Sequence, residues 1–213
     1  MNRRRGRLLP LTVLVGALAA LIASVVWLTG SGFDRPGLTA PPGAAARDGP
    51  VRDLADADRA ARHFADRWHL HVGEVMRFTR NYYAQLLDGH GKHATEVLVE
   101  PGSGAVHLEY GPAMVWNTAY GMVPGNGMTR GRAPGDARDI GPDQAVRIAD
   151  QWLRDHRPGL RAAEPDAFPG YYTLHTLRDG HITGMLSVNA TSGEVWYHTW
   201  HGRFLRMSPA PNR

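Results

Sequence analysis

The chain has 213 residues, of which 43% are hydrophobic and 21% are charged, and it contains no cysteine. This composition excludes a disordered or fibrous protein, and the missing cysteines exclude a disulfide framework, a thiolate zinc site and a cysteine nucleophile. Residues 1–50 hold six of the 24 basic and two of the 20 acidic side chains, which leaves 18 of each sign in residues 51–213. The formal charge of +4 therefore belongs to the N-terminal part, and a neutral remainder gives no electrostatic support for nucleic-acid binding.

The first predicted element is a transmembrane helix at residues 8–28, an uncharged and largely apolar run of 21 residues. A helix of that length measures about 31 Å, against a hydrocarbon core of about 30 Å. Four arginines stand in residues 1–7, and no basic cluster follows the apolar run. The positive-inside rule thus predicts a cytoplasmic basic tail at 1–7, a single-pass anchor in the cell membrane, and an extracytoplasmic location for residues 29–213.

A cleaved signal peptide is the alternative interpretation of this segment. Ala19, Ala20 and Ala23 are small enough to mark a cleavage site, although the apolar region of a signal peptide usually has about 7 to 15 residues. Both interpretations place the folded part outside the cytoplasm. Residues 29–50 are rich in Gly, Pro and Ala, a composition typical of a flexible stalk.

The rest of the chain predicts one small module twice, at residues 51–111 and 141–206. Both copies contain apolar residues at the spacing i, i+3, i+4, i+7 and i+8, which indicates a helix with one buried face. Runs rich in Val, Tyr, Leu and Thr follow each helix and are interrupted by glycine-containing turns, as in an antiparallel meander. The predicted fold class is α+β, in which the transmembrane helix precedes two repeated modules, each a helix packed on a small antiparallel sheet. Residues 112–140 would join them, and residues 207–213 would form a tail.

The sheet-forming halves of the two modules align without a gap at an offset of 89 residues, which places Tyr82-Tyr83 on Tyr171-Tyr172. The first copy reads YYxxLLxxxGxxxxEVLVExxSGxV and the second YYTLHTLRDGHITGMLSVNATSGEVW. Together with the preceding helices, these patterns resemble the PepSY module of peptidase propeptides and of many bacterial membrane proteins. The resemblance covers residues 56–110 and 141–200, and it implies no catalytic residues.

Strand alternation gives the second module an apolar outer face. When Leu186, Val188, Val195 and Tyr197 face the helix, the opposite face presents Met185, Trp196, His198 and Trp200. At the equivalent positions of the first module stand Glu96, His107 and Glu109, as expected for a solvated face. The apolar face has two open explanations. Either the first module or the joining segment covers it, with Met114 and Trp116 as suitable partners, or it is a binding surface.

Metal binding and catalysis have weaker support. Eleven histidines and seven methionines allow a copper or zinc site. His198 and His201 are weak candidate ligands, and no set of three or four has the spacing of a known motif. HExxH, GxSxG and P-loop motifs are absent, so we predict no catalytic residue and no cofactor, although a scattered hydrolase triad is left open.

The preferred hypothesis is a membrane-anchored, extracytoplasmic and non-catalytic binding or regulatory protein. Its membrane contact would be residues 8–28, and its partner would be a protein of the cell envelope, such as a protease. An extracytoplasmic His/Met metal-binding protein for copper or zinc is the alternative, and a hydrolase ranks third.

Overall fold

A computed structural model describes residues 49–122 and 140–208. The predicted anchor at 8–28 lies outside the described residues, as do most of the stalk and most of the joining segment. Within the described ranges, no helix combines the length and the apolar character needed to cross a membrane. The helices are α1 (Leu54–Asp66), α2 (Pro112–Val115) and α3 (Pro142–His156). The strands are β1 (His71–Phe78), β2 (Tyr82–Leu87), β3 (His93–Val99), β4 (Val106–Leu108), β5 (Arg161–Phe168), β6 (Tyr171–Arg178), β7 (His181–Asn189), β8 (Val195–Tyr197) and β9 (Phe204–Met207).

Local chemistry explains where both long helices begin. The carboxylate of Asp53 caps α1 by accepting a hydrogen bond of 2.9 Å from the backbone N–H of Asp56. Pro142 occupies the first turn of α3, where a missing N–H costs no hydrogen bond. Each helix buries its apolar stripe against the sheet that follows it in sequence.

The strands form two antiparallel sheets, with the orders β4-β3-β2-β1-β9 and β5-β6-β7-β8. This confirms the mixed α+β class with antiparallel sheets. The two meanders also share details of backbone pairing. The N–H of Glu109 donates to the carbonyl of Glu96 at 2.9 Å, and the N–H of His198 donates to the carbonyl of Met185 at 3.1 Å. These two bonds are separated by the offset of 89 residues found in the sequence.

Strand β9 leaves the second meander and pairs with β1 of the first sheet, where Met76 lies opposite Met207. The sequence analysis had assigned this stretch to the second module and to the tail, since it has no counterpart in the first copy. This crossover carries residues 198–203, which connect β8 to β9, past the first sheet.

The two sheets pack face to face, with α1 and α3 on the outside. Leu186, Val188, Val195 and Tyr197 face α3, as alternation predicted. On the opposite face, Met185 packs among Met76, Tyr83 and Leu98 of the first sheet. We call this contact between the two sheets the sheet interface.

The sheet interface corrects one expectation. Glu96 and Glu109 were predicted to lie on a solvated face, but both are fully buried. The prediction is wrong because strand alternation shows which face a residue occupies and not what covers that face. Of the two explanations for the apolar face of the second module, coverage by the first module therefore holds for Met185 and His198.

Candidate metal centre

Three side chains with metal-binding atoms meet in the sheet interface. They are Glu109 directly after β4, His198 directly after β8, and His201 in the connection to β9. Leu108 packs in the core beneath α1, so alternation turns Glu109 to the opposite side. One ligand atom from each residue lies within 4.8 Å of the other two. The exposed fractions of 0%, 3% and 1% show that all three are buried. We call this cluster the metal centre.

The distances inside the metal centre are those of ion pairs, but the angles are not those of hydrogen bonds. Oε1 of Glu109 lies 2.8 Å from Nε2 of His201 and 3.2 Å from Nδ1 of His198. Within the part of the chain that the structure describes, both nitrogens and Oε2 of Glu109 lack a hydrogen-bond partner. Buried polar atoms without partners are rare because each loses its hydration. Two such imidazole nitrogens close to one carboxylate oxygen form a donor set that suits a cation.

Asn81 fixes the tautomer of His201. The Nδ2 atom of Asn81 donates to the carbonyl of Trp200 at 3.4 Å, which turns Oδ1 toward Nδ1 of His201 at 2.9 Å. An amide oxygen only accepts, so Nδ1 of His201 carries the proton. Burial lowers the pKa of His201 and favours the neutral ring. The Nε2 atom of His201 therefore carries a lone pair beside Glu109, and an unprotonated imidazole nitrogen is the form that binds metals.

His198 is held in a similar way from its outer side. Its Nε2 lies 2.9 Å from Oγ of Ser187, which is in turn 2.9 Å from Oγ1 of Thr173. When the Ser187 hydroxyl donates to Thr173, it accepts from Nε2–H of His198. This arrangement leaves Nδ1 of His198 as a lone pair directed inward. Both histidines thus have the outer hydrogen-bond partners that orient metal-binding imidazoles in proteins.

Glu109 is ionised in spite of its burial. Burial raises the pKa of its carboxyl group, but the adjacent His198 and His201 outweigh burial and hold that pKa well below its ordinary value. The indole Nε1 of Trp200 also donates to Oε1 at 3.3 Å. A buried carboxylate needs positive charge beside it. Either a protonated histidine or a metal cation can supply that charge.

A second buried carboxyl group, Glu96, differs from Glu109 because its oxygens have partners. Oε1 accepts a hydrogen bond of 2.6 Å from the hydroxyl of Tyr83, and Oε2 accepts one of 2.7 Å from the hydroxyl of Tyr171. Burial and the nearby charge of Glu109 raise the pKa of Glu96 well above its ordinary value. The raised pKa favours the protonated form of Glu96, whereas the lowered pKa of Glu109 favours the carboxylate, so the two buried acidic residues differ.

Ser187, His198 and Glu109 also stand in the order of a serine-hydrolase triad. Two features differ from a working triad. Ser187 is fully buried, and Nδ1 of His198 has no hydrogen-bond geometry toward the carboxylate. The cavities of about 440 and 540 Å³ beside α3 are lined by other residues. The hydroxyl that would act as nucleophile is thus shielded from solvent.

No known protein family, curated protein or solved structure matches the chain. The resemblance to PepSY modules therefore stays an expectation from sequence. Function has to be inferred from the geometry of the chain itself.

The structure separates the residues predicted to form a binding surface. Met185 and His198 are buried in the sheet interface, and Trp200 is half-buried beside them. Met114 packs against the first core. Trp196 keeps 38% of its surface exposed and contacts Trp116 edge to face, with 5.5 Å between ring centroids. Only this tryptophan pair is left of the predicted surface.

His198 and His201 were singled out from the sequence, but Glu109 was missed as a ligand. One signal was present, since Glu109 and His198 are equivalent positions at the offset of 89 residues. If two like modules pair through like faces, their equivalent positions approach each other. The offset would then have placed a carboxylate beside an imidazole.

Proposed function

We propose that this protein binds one divalent transition metal, preferentially zinc, through Glu109, His198 and His201. The observation that carries the proposal is the convergence of three buried ligand residues, in which the two inner imidazole nitrogens have no hydrogen-bond partner among the described residues. Two imidazole nitrogens and a carboxylate oxygen are ligands that Zn²⁺ accepts well, whereas Cu(I) prefers thiolates and thioethers. Glu109, His198 and His201 themselves offer nitrogen and oxygen rather than sulfur, which favours zinc over Cu(I).

The spacing of the ligand atoms supports this choice. Zinc bonds of about 2.0–2.2 Å in a tetrahedral site place neighbouring ligand atoms about 3.3 Å apart. Two of the three corresponding distances here, both to Oε1 of Glu109, are 2.8 Å and 3.2 Å, and the third lies within 4.8 Å. Side-chain shifts that bring the two imidazole nitrogens to tetrahedral spacing would admit the ion. The unpaired Oε2 of Glu109 is available as a further ligand.

The burial of the metal centre supports a structural role rather than a catalytic one, because a catalytic zinc site keeps a position open to water and substrate. Glu109 comes from the first module, while His198 and His201 follow the last strand of the second. A bound metal would therefore join the two modules. In this proposal the protein is non-catalytic, carries PepSY-like modules, and is held at the outer face of a cell membrane by residues 8–28.

Calorimetry of the full chain with Zn²⁺ and Cu²⁺ tests the proposal. We expect one Zn²⁺ per chain with a Kd below about 1 μM, and a loss of at least tenfold in affinity for Glu109→Gln and His201→Gln, since each removes one ligand. His90→Gln, in an exposed turn, is the matched control. Binding weaker than micromolar, or equal affinity in Glu109→Gln and His90→Gln, would contradict a site at this cluster.

A second candidate function is regulation of an envelope protein through the exposed Trp196, which contacts the half-buried Trp116. The ring of Trp196 lies over Gly111, where an added Cβ would stand 3.3 Å from it. The neighbouring Tyr110 and Val115 are also exposed. Contiguous exposed apolar side chains are typical of protein-interaction sites. Recovery of envelope proteins with the full chain should fail after Trp196→Ala and persist after Trp68→Ala, which changes an exposed tryptophan near the end of α1.

A further inference from the structure

A crevice on the second module carries positive charge without a carboxylate. It has a volume of about 440 Å³, within the usual range of about 300–1,000 Å³ for small-molecule sites. Its lining includes Arg157, Arg178, His156, Thr183 and Tyr197, and no acidic residue lines it. It is independent of the metal centre, with which it shares no residue.

The two arginines reach the crevice from different elements. Arg157 caps the C-terminus of α3, and its guanidinium lies 4.8 Å above the ring of Tyr197. Arg178 ends β6 and lies against the turn at Gly159, where an added Cβ would stand 3.6 Å from its Nη1 atom. The positive φ of +85° at this turn also favours glycine. Among the ion pairs of the described residues, neither arginine has a carboxylate partner.

Stabilisation of the helix end explains only part of this charge. A cation at a helix C-terminus interacts favourably with the helix dipole, which accounts for Arg157 and His156. Arg178 belongs to a strand, so the dipole gives no reason for its position. Two guanidinium groups in one concave site are suited to a phosphate or carboxylate, because each offers paired N–H donors.

An apolar extension of the crevice begins at His156. The imidazole of His156 stacks on Trp152 at 4.4 Å and 13°, and Trp152 stacks on Tyr197 at 5.8 Å and 15°. Nδ1 of His156 is bonded to the carbonyl of Trp152 at 2.9 Å, so Nε2 is left for another partner. A second cavity of about 540 Å³ also reaches His156, and its lining includes Ile148, Trp152 and Val195 as well as Gln144, Arg147, Gln151 and Asp155. We call its apolar side, formed by Ile148, Trp152 and Val195, the apolar shelf, which meets the charged crevice at His156.

We propose that this crevice binds a small organic anion, whose phosphate or carboxylate group contacts Arg157 and Arg178 and whose apolar body lies along Trp152. The anionic head explains the two arginines without acidic partners. The apolar body explains why the charged crevice continues into a cavity lined by Trp152 and Ile148.

Calorimetry of the full chain without added metal tests this site with three probes: phenyl phosphate, benzoate and inorganic phosphate. We expect phenyl phosphate or benzoate to saturate the site with a Kd below about 1 mM. The better of the two identifies the head group. We also expect Arg178→Gln to weaken that binding about tenfold or more, since a charge-assisted hydrogen bond is lost. Arg206→Gln is the matched control because it removes the same charge from an exposed position on β9.

Three results would overturn the proposal. The first is no saturation by any probe up to about 10 mM, and the second is an equal loss of binding in Arg178→Gln and Arg206→Gln. The third is inorganic phosphate binding as tightly as phenyl phosphate while benzoate does not bind, since the apolar shelf would then contribute nothing. Thermal unfolding of each variant without ligand shows whether the fold is intact and separates lost binding from lost structure.

Discussion

Glu109 and His198 occupy equivalent positions in the two modules and contact each other across the sheet interface, with 3.2 Å between Oε1 and Nδ1. Each residue directly follows the last strand of its meander. The backbone N–H of Glu109 donates to a carbonyl on β3, and that of His198 donates to a carbonyl on β7. The same backbone position therefore carries an acid in one module and an imidazole in the other.

Asn81 should control metal affinity without touching the metal. Asn81→Leu removes the acceptor that keeps the proton of His201 on Nδ1, and we expect a loss of about 10- to 100-fold in Zn²⁺ affinity. Asn81→Asp still provides an acceptor for that proton and should restore most of the affinity. Competition titrations with a chromophoric chelator measure both variants. Equal affinities in the two would show that the tautomer of His201 plays no part.

Metal binding should weaken in mild acid. The Nε2 atom of His201 binds Zn²⁺ only when unprotonated, and because burial lowers the pKa of this imidazole below its ordinary value of about 6.5, protons compete with the metal there only below that lowered pKa. Burial lowers the pKa of His201 in the folded state, so the metal-free protein should also lose stability as the pH falls through 6.5 toward that lowered pKa. Chemical unfolding of the metal-free chain at pH 8 and pH 5.5 measures this loss. The loss of stability between the two pH values should be smaller in His201→Gln. An unchanged loss in that variant would show that another titrating group causes it.

Glu96 should make the protein less stable as the pH rises. A raised pKa means that the folded state holds a proton that the unfolded chain releases above about pH 4.3. The stability present below that pH is therefore lost by up to about 1.4 kcal/mol per pH unit as the pH approaches the folded-state pKa. Glu96→Gln keeps the size of the side chain and removes the titration. Unfolding in urea from pH 5 to pH 9 should show a flatter profile for this variant, while Glu164→Gln, on the edge strand β5, should behave like the native chain.

Trp200 should report metal binding. Its Nε1 donates to Oε1 of Glu109, and its ring stacks on His198 at 4.5 Å and 23°. A metal that takes Oε1 as a ligand competes with the indole, so tryptophan emission should change during a Zn²⁺ titration and saturate at one equivalent. Trp200→Phe should abolish the change, and Trp68→Phe should preserve it. A signal that survives Trp200→Phe would mean that the metal lies near another tryptophan.

Periodicity in the sequence was sufficient for the helices, the antiparallel meanders and the set of residues from Leu186 to Tyr197 that faces α3. Periodicity did not predict which part of the chain covers the other face of each sheet, because that depends on how distant parts of the chain pack. Glu109 was therefore interpreted as solvated, although its offset from His198 was visible. Strand β9 was also missed, since its four residues from Phe204 to Met207 have no counterpart in the first module and pair with a strand more than 120 positions earlier.

The pairing of equivalent positions also bears on why two modules stand in one chain. Two identical subunits related by a twofold axis present the same residue at any equivalent position. A homodimer of one module would therefore bring together two glutamates, which repel, or two histidines without a carboxylate. Joining the copies covalently lets each half change independently. An acid can then meet a base at what would otherwise be a symmetric contact.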